Sequence, residues 1–233
     1  MGLFDKWRKK DNSSKEQELA PVSHDDIREE LKETVGFCVN SGFFSKEDIL
    51  DQARDIYEDI CGNGGVTVSD EDICEIVESL IAEANYAETC ENNYIRLRNV
   101  FDTLNRERII AIHFAGYTLD DGFGEVDTVF QFMKSNDIPR RGYCFYHQQD
   151  MERAMDKSIK RLFLAFHSMN GDKKLTMEVG ERIAELLKEN GFDVDWDYST
   201  ESRIAINNFL WDKVYDGEDY GTDRAIRIMS ESR

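Results

Sequence analysis

Long apolar runs are missing from this sequence. Stretches such as "IIAI" (109–112) and "LFLAF" (162–166) fall far short of the ~20 residues a helix needs to cross a bilayer. The opening "MGLFDKWRKK" has its charges after its apolar residues and no hydrophobic segment of a secretory signal. Its "MG" start is not followed by a myristoylation pattern, because Lys6 stands where Ser or Thr is required. No C-x-x-C occurs. Cys38, Cys61, Cys74, Cys90 and Cys144 are scattered, which argues against a disulfide framework and against a thiolate zinc site. A reducing cytoplasm is the expected compartment, with most thiols acting as small core residues. Basic residues are also scarce: 29 Lys and Arg face 48 Asp and Glu, for a net charge of −19. Neutralising phosphates requires clustered Lys and Arg, so a nucleic-acid partner is not expected.

What the sequence does have is acid, and it is concentrated. Residues 23–92 hold 19 acidic side chains against 4 basic ones, a balance that favours solubility and attraction to basic partners. The same stretch reads as three helices. Ser23, Ser45 and Ser69 are each followed three residues later by an aspartate (Asp26, Asp48, Asp72). There the hydroxyl can cap free N–H groups and the carboxylate lies by the positive end of the helix dipole. Apolar stripes follow at helical spacing: Ile27, Leu31 and Val35, then Ile49, Ala53, Ile56, Tyr57 and Ile60, then Ile73, Ile76, Val77, Leu80, Ile81 and Ala84. Between the second and third helices, "DICGNGGVTVSD" (59–70) resembles a calcium loop only in part. Cys61 fails at the third position and Asp70 is too short at the twelfth. A glycine-rich interhelical loop is expected instead. Residues 1–22 read as a flexible polar leader.

From residue 93 the pattern changes. After a helix at "YIRLRNVFDTLN", strands are expected at 108–114, 142–147, 161–166, 192–197 and 203–207. Helices are expected near 123–135, 150–157 and 174–190. The order predicts an α+β fold with a ferredoxin-like split βαβ sheet, βαββαβ plus one extra strand, preceded by the acidic helical segment. The domains are then a leader (1–22), an acidic three-helix region (23–92), a ferredoxin-like domain (93–213) and a polar C-terminal tail (214–233).

That topology makes the first and third strands parallel neighbours. It places His113 and His167 together at one sheet end as a candidate divalent-metal pair, and His147 at the other. Alternation puts Ile110, Ile112, Leu162, Leu164, Phe192, Val194 and Trp196 on one face. His113, Phe163, His167, Asp193, Asp195 and Asp197 fall on the other. The N-terminal helices are expected to roof the second face and leave its histidines as hydrogen-bonding groups.

"RGYCFYHQQD" (141–150) admits two readings. His147, Gln149 and Asp150 are candidate catalytic residues. Alternatively, His147 ends a strand and Gln149 or Asp150 opens a short helix. Cys144 alternates to the face opposite His147, which weakens a nucleophile–base pairing. "AGYTLDDGFGE" (115–125) reads as a turn that caps the following helix.

The runs "GYTLDDGFGE", "RGYCFYHQQD", "LFLAF", "VGERIAELLKENGF", "VDWD" and "RIAI" resemble an uncharacterised bacterial family known only as a domain of unknown function. The resemblance covers about 94–212, with the preceding helices also similar. It implies a fold and no activity. It also implies cysteines in the loop that here reads "FAGYTLDDGFGE", where this chain has none. Residues matching the pattern are Gly116, Gly122, Glu125, Gly142, Tyr143, Tyr146, His147, Gln149, Asp150, Trp196, Asp197 and Arg203. Of these, Gly122, Glu125, Tyr143, Tyr146, Trp196, Asp197 and Arg203 are candidates for a binding surface.

The function expected is a non-catalytic cytoplasmic binding or regulatory module, an acidic inhibitor or immunity-type protein for a basic partner. No cofactor and no membrane partner are expected. The alternative is an enzyme built on His147, Gln149 and Asp150, or on a His113/His167 metal site.

Overall fold

The computed structural model describes residues 24–61, 69–84 and 92–231. The expected leader, the cap at Ser23 and the glycine-rich part of the 59–70 loop lie outside the described residues. Those residues fall into two compact units: 24–40 with 44–84, and 41–43 with 92–231.

The first unit contains α1 (His24–Ser41), α2 (Lys46–Cys61) and α3 (Asp70–Glu83). Two of the three expected caps are present. Ser69 and Asp72 form a reciprocal capping box. The Ser45 hydroxyl accepts from the Asp48 amide at 3.0 Å while Asp48 accepts from the Ser45 amide at 2.9 Å. The apolar stripes bury against one another, with Leu31, Val35, Ile49, Ala53, Ile73, Ile76 and Val77 in a single core. At its edge the Cys38 thiol donates to Gln52 Oε1 at 2.8 Å. Burial pushes that thiol up to about 12, so it is an inert core group.

The second unit is a five-stranded mixed sheet with helices on both faces. In chain order it runs α4 (Asn93–Arg106), β1 (Ile109–Ile112), α5 (Leu119–Ser135), β2 (Gly142–Phe145), α6 (Gln148–Met155) and β3 (Leu162–Ser168). It continues with α7 (Lys173–Glu189), β4 (Asp193–Asp195), β5 (Ile204–Asn207) and α8 (Thr222–Glu231). Among the described residues the protein is thus an α+β chain of eight helices and five strands. Every strand expected from the sequence is present. The strand order, β1-β2-β3-β5-β4, differs from the ferredoxin-like expectation of a first strand beside the third.

The difference comes from where β1 docks. It pairs in parallel with β2 at the sheet edge, and β3 is antiparallel to both β2 and β5. β1 and β3 are therefore not neighbours and run in opposite senses. All four residues of β1 are buried. A strand apolar on both sides carries no alternation that says which face meets which helix. Register settles it. Ile110 aligns with Tyr143 and Tyr143 with His167; Ile112 aligns with Phe145 and Phe145 with Ala165. So Ile110 and Ile112 share a face with Ala165 and His167, not with Leu162 and Leu164 as expected. That face packs on α5 and α8 through Val126, Val129, Met133, Ala225 and Met229. The opposite face packs on α4 and α7: the Asn105 amide brackets the Ala111 backbone, and Gly180 lies against Phe166 and Trp196.

Residues 214–233, expected as a polar tail, contain α8. Ala225, Ile228 and Met229 are buried along one side of it. The Arg224 guanidinium of α8 forms a two-pronged pair with Asp102 of α4, at 2.8 and 2.9 Å.

Candidate functional site

Because β1 and β2 are parallel, the residues that follow them emerge at one end of the sheet. His113 and His147 therefore come to the same end, and His167 lies at the other, near the start of β2. This reverses the expected grouping. His113 and His167 also lie on opposite faces, so they form no metal pair. Among the described residues, no group of three His, Cys, Asp or Glu side chains is placed to hold a metal ion. At the shared end the two strands part into separate clusters. Tyr146 points toward α4 and His147, one residue later, toward α6.

The α6 cluster centres on Asp150, which is fully buried. Oδ1 accepts from Arg203 Nη1 at 2.8 Å and from Arg153 Nη1 at 3.3 Å. Oδ2 faces His147 Nε2 at 3.2 Å and accepts from the His147 amide at 3.5 Å. Both oxygens are thus used, as a carboxylate taken out of water requires. Burial holds the His147 imidazole below its usual range, with Asp150 acting the other way. At neutral pH it is uncharged, and its Nδ1 has no hydrogen-bond partner among the described residues. Gln149 contributes its carbonyl to Arg153 at 3.0 Å. Arg203 and Arg161 both lie over the Phe163 ring, at 5.0 and 5.1 Å. The sequence motif HQQD and the distant Arg203 are therefore one assembly that ties α6 to the start of β5.

The second cluster, around His113, is buried and aromatic. His113 stacks on Phe101 with centroids 4.2 Å apart and shares a hydrogen bond with the Tyr146 hydroxyl through Nδ1 at 2.9 Å. Burial drives its imidazole well below the ordinary value, helped by the positive charges of Arg224, Lys213 and Arg98. Burial also raises the Tyr94 and Tyr146 phenols well above theirs. Beside them sits Lys213, only 5% exposed. Its ammonium lies 4.4 Å from the Tyr220 ring and 4.9 Å from the rings of Tyr94 and Phe43. It donates to the Val214 carbonyl at 3.2 Å and to Asp216 at 3.4 Å. Desolvation lowers its pKa, and Asp216 opposes that.

Sequence reasoning did not single out Lys213, Tyr94, Tyr220 or Asp216. A lysine in a polar stretch gives no sign of burial. The spacing of Ala225, Ile228 and Met229 was the available clue that the C-terminal segment folds back onto the sheet.

The remaining candidates sit elsewhere. Gly122 lies in the first turn of α5 against the Phe145 ring, where a Cβ would come within 2.1 Å of a ring carbon. Glu125 is half-buried one turn further along α5. Thr118 and Asp121 form the capping box of that helix, which starts at Leu119 rather than near 123, so the second half of the expected turn is helical. Tyr143 stacks between Phe145 and His167 on the α5 face. Trp196 packs edge-on to Phe166 and donates to the Ser199 carbonyl at 3.0 Å. Asp197 accepts from the Ser202 hydroxyl and the Ser199 amide, which lower its pKa. Both close the turn between β4 and β5. Cys144 is fully buried on the face opposite His147, and burial raises its thiol far above a reactive range.

A separate open groove of about 790 Å³ runs along α7, lined mainly by Glu107, Glu178, Glu181, Glu185 and Glu189 with Arg141 and Arg182. It touches neither histidine cluster.

Residues 24–215 match the family described as Domain of unknown function (DUF6891), and the chain belongs to that family. No curated protein and no solved structure matches it.

Proposed function

We propose that this member of the family is a non-catalytic binding module whose three-helix unit recognises a basic protein partner, as an acidic inhibitor or immunity-type protein would. The observation carrying this reading is the surface of α1–α3. Glu29, Glu33, Glu47, Asp48, Asp51, Asp55, Glu58, Asp70, Glu71, Glu75, Glu78 and Glu83 are all exposed. Lys32, Lys46 and Arg54 are already paired with Glu29, Glu78 and the Asp51/Asp70 couple. The unit therefore offers carboxylates with little internal neutralisation, a field that steers a cationic surface and sets its on-rate. Supporting it from the other unit, Asp150 gives both oxygens to partners that bind α6 to the sheet. Among the described residues, no helix is long and apolar enough to cross a membrane. The reading places the protein in the cytoplasm, where Cys38 and Cys144 stay reduced.

Titration of the protein with poly-L-lysine and with a basic folded protein tests this. Saturable binding should weaken when Glu71, Glu75 and Glu78 are changed together to lysine. Binding that ignores that change would remove the reading.

One observation favours a second reading, an enzyme with His147 as general base oriented by Asp150: the neutral imidazole keeps an unpartnered Nδ1. It predicts that H147A abolishes a reaction while the fold persists. A screen finding no activity that depends on His147 counts against it.

A further inference from the structure

Lys213 is an ammonium group with little hydrogen bonding for its burial. An ammonium carries three donors, yet its contacts are one carbonyl at 3.2 Å and one carboxylate at 3.4 Å. The remaining stabilisation comes from three ring faces, Phe43, Tyr94 and Tyr220, between 4.4 and 4.9 Å from the nitrogen. Rings converging on one point are the arrangement by which proteins recognise alkylammonium ligands, because each ring presents the negative face of its quadrupole to the cation. The cage is well braced. Tyr94 stands on α4, and Trp211 donates to the Ser41 carbonyl at 3.0 Å, fixing the segment that carries Phe43. Tyr220 is held by its hydroxyl bond to Asp216 at 2.5 Å. The backbone at 213 is fixed too, since Gly42 approaches the Lys213 carbonyl so closely that a Cβ there would come within 2.3 Å. The Lys213 side chain itself is held by those two hydrogen bonds and the three rings. Its neighbours Val214 and Tyr215 are about half exposed, and residues 208–221 form no helix or strand.

We infer that the cage of Phe43, Tyr94 and Tyr220 is an alkylammonium-binding site, which the chain fills with its own Lys213 and which a lysine of a basic partner takes over on binding. The second half rests on the basic-partner reading above; the first does not. Lys213 then acts as an internal competitor, so only a partner that presents a lysine in the right place gains the cage.

Two experiments separate these halves. In the first, K213A is melted with and without propylammonium, with propanol as the neutral isostere and K213M as a variant that keeps the volume. The site predicts a lowered melting temperature for both variants and recovery of K213A by propylammonium alone. Equal recovery by propanol, or none by either, would show an apolar cavity or no site and overturn the inference. In the second, the wild-type chain is acylated with an amine-specific reagent, and Lys213 labelling is scored against the exposed Lys174. Saturating poly-L-lysine should raise that ratio at least about tenfold. An unchanged ratio with poly-L-lysine bound overturns the takeover while leaving the basic-partner reading intact. Absence of poly-L-lysine binding defeats both of those, and the K213A result then decides the cage alone.

Discussion

The two units handle charge in opposite ways. In the three-helix unit, arginine meets aspartate in water: Arg54 reaches Asp70 at 2.7 Å, and the two side chains are 40% and 64% exposed. In the α/β unit the same chemistry is taken inside. Arg224 reaches Asp102 at 2.8 Å, and these side chains are 13% and 11% exposed. A pair in water has solvent as a ready substitute for either partner, whereas a buried pair has none. The Arg54–Asp70 pair thus leaves its carboxylate within reach of a partner, whereas Asp102 and Asp150 of the second unit are committed to the fold.

The sharpest way to break that contrast is to delete the arginine from each pair. R224A should lose about 3–5 kcal/mol, because Asp102 stays buried and unpaired, a loss visible in the urea midpoint. Arg203 lies between the extremes, 37% exposed beside a fully buried Asp150. R203A should cost about 2–3 kcal/mol, with Arg153 and His147 retaining part of the carboxylate's bonding. Rescue of R203A by D150N would confirm that the uncompensated charge is the cause.

Acid should also act on the second unit first. His113 and His147 both have pKa values held below 6.5 by burial. The unfolded chain therefore binds more protons than the folded one once the pH falls below about 6.5. Stability is full above that value and lost below it, at up to about 1.4 kcal/mol per pH unit for each imidazole. Denaturation midpoints measured from pH 7.5 to 5 should fall, and H147Q should flatten the fall. The smallest effect belongs to the first unit: R54A should leave the urea midpoint unchanged.

The sequence showed the elements better than their assembly. Strand positions, the caps at Ser45 and Ser69, and the end of α7 near residue 190 all follow from local chemistry. Strand order did not follow, because "IIAI" is apolar on both faces and fits the sheet edge beside β2 as well as its centre beside β3. With β1 at the edge beside β2, His113 groups with His147 and not with His167. The α6 site was half legible: HQQD stood out, and Arg203 was marked only by its place in the family pattern. The Lys213 cage was not legible, since its rings come from residues 43, 94 and 220 and nothing local marks them as neighbours.

The claim on which the functional account stands is that exposed carboxylates of α1–α3 draw in a cationic protein surface. Its most direct test is the affinity for a basic protein as a function of ionic strength. The account predicts a fall of at least about tenfold between about 0.05 and 0.3 M salt, expressed largely in the association rate. An affinity that stays constant across that range would contradict it.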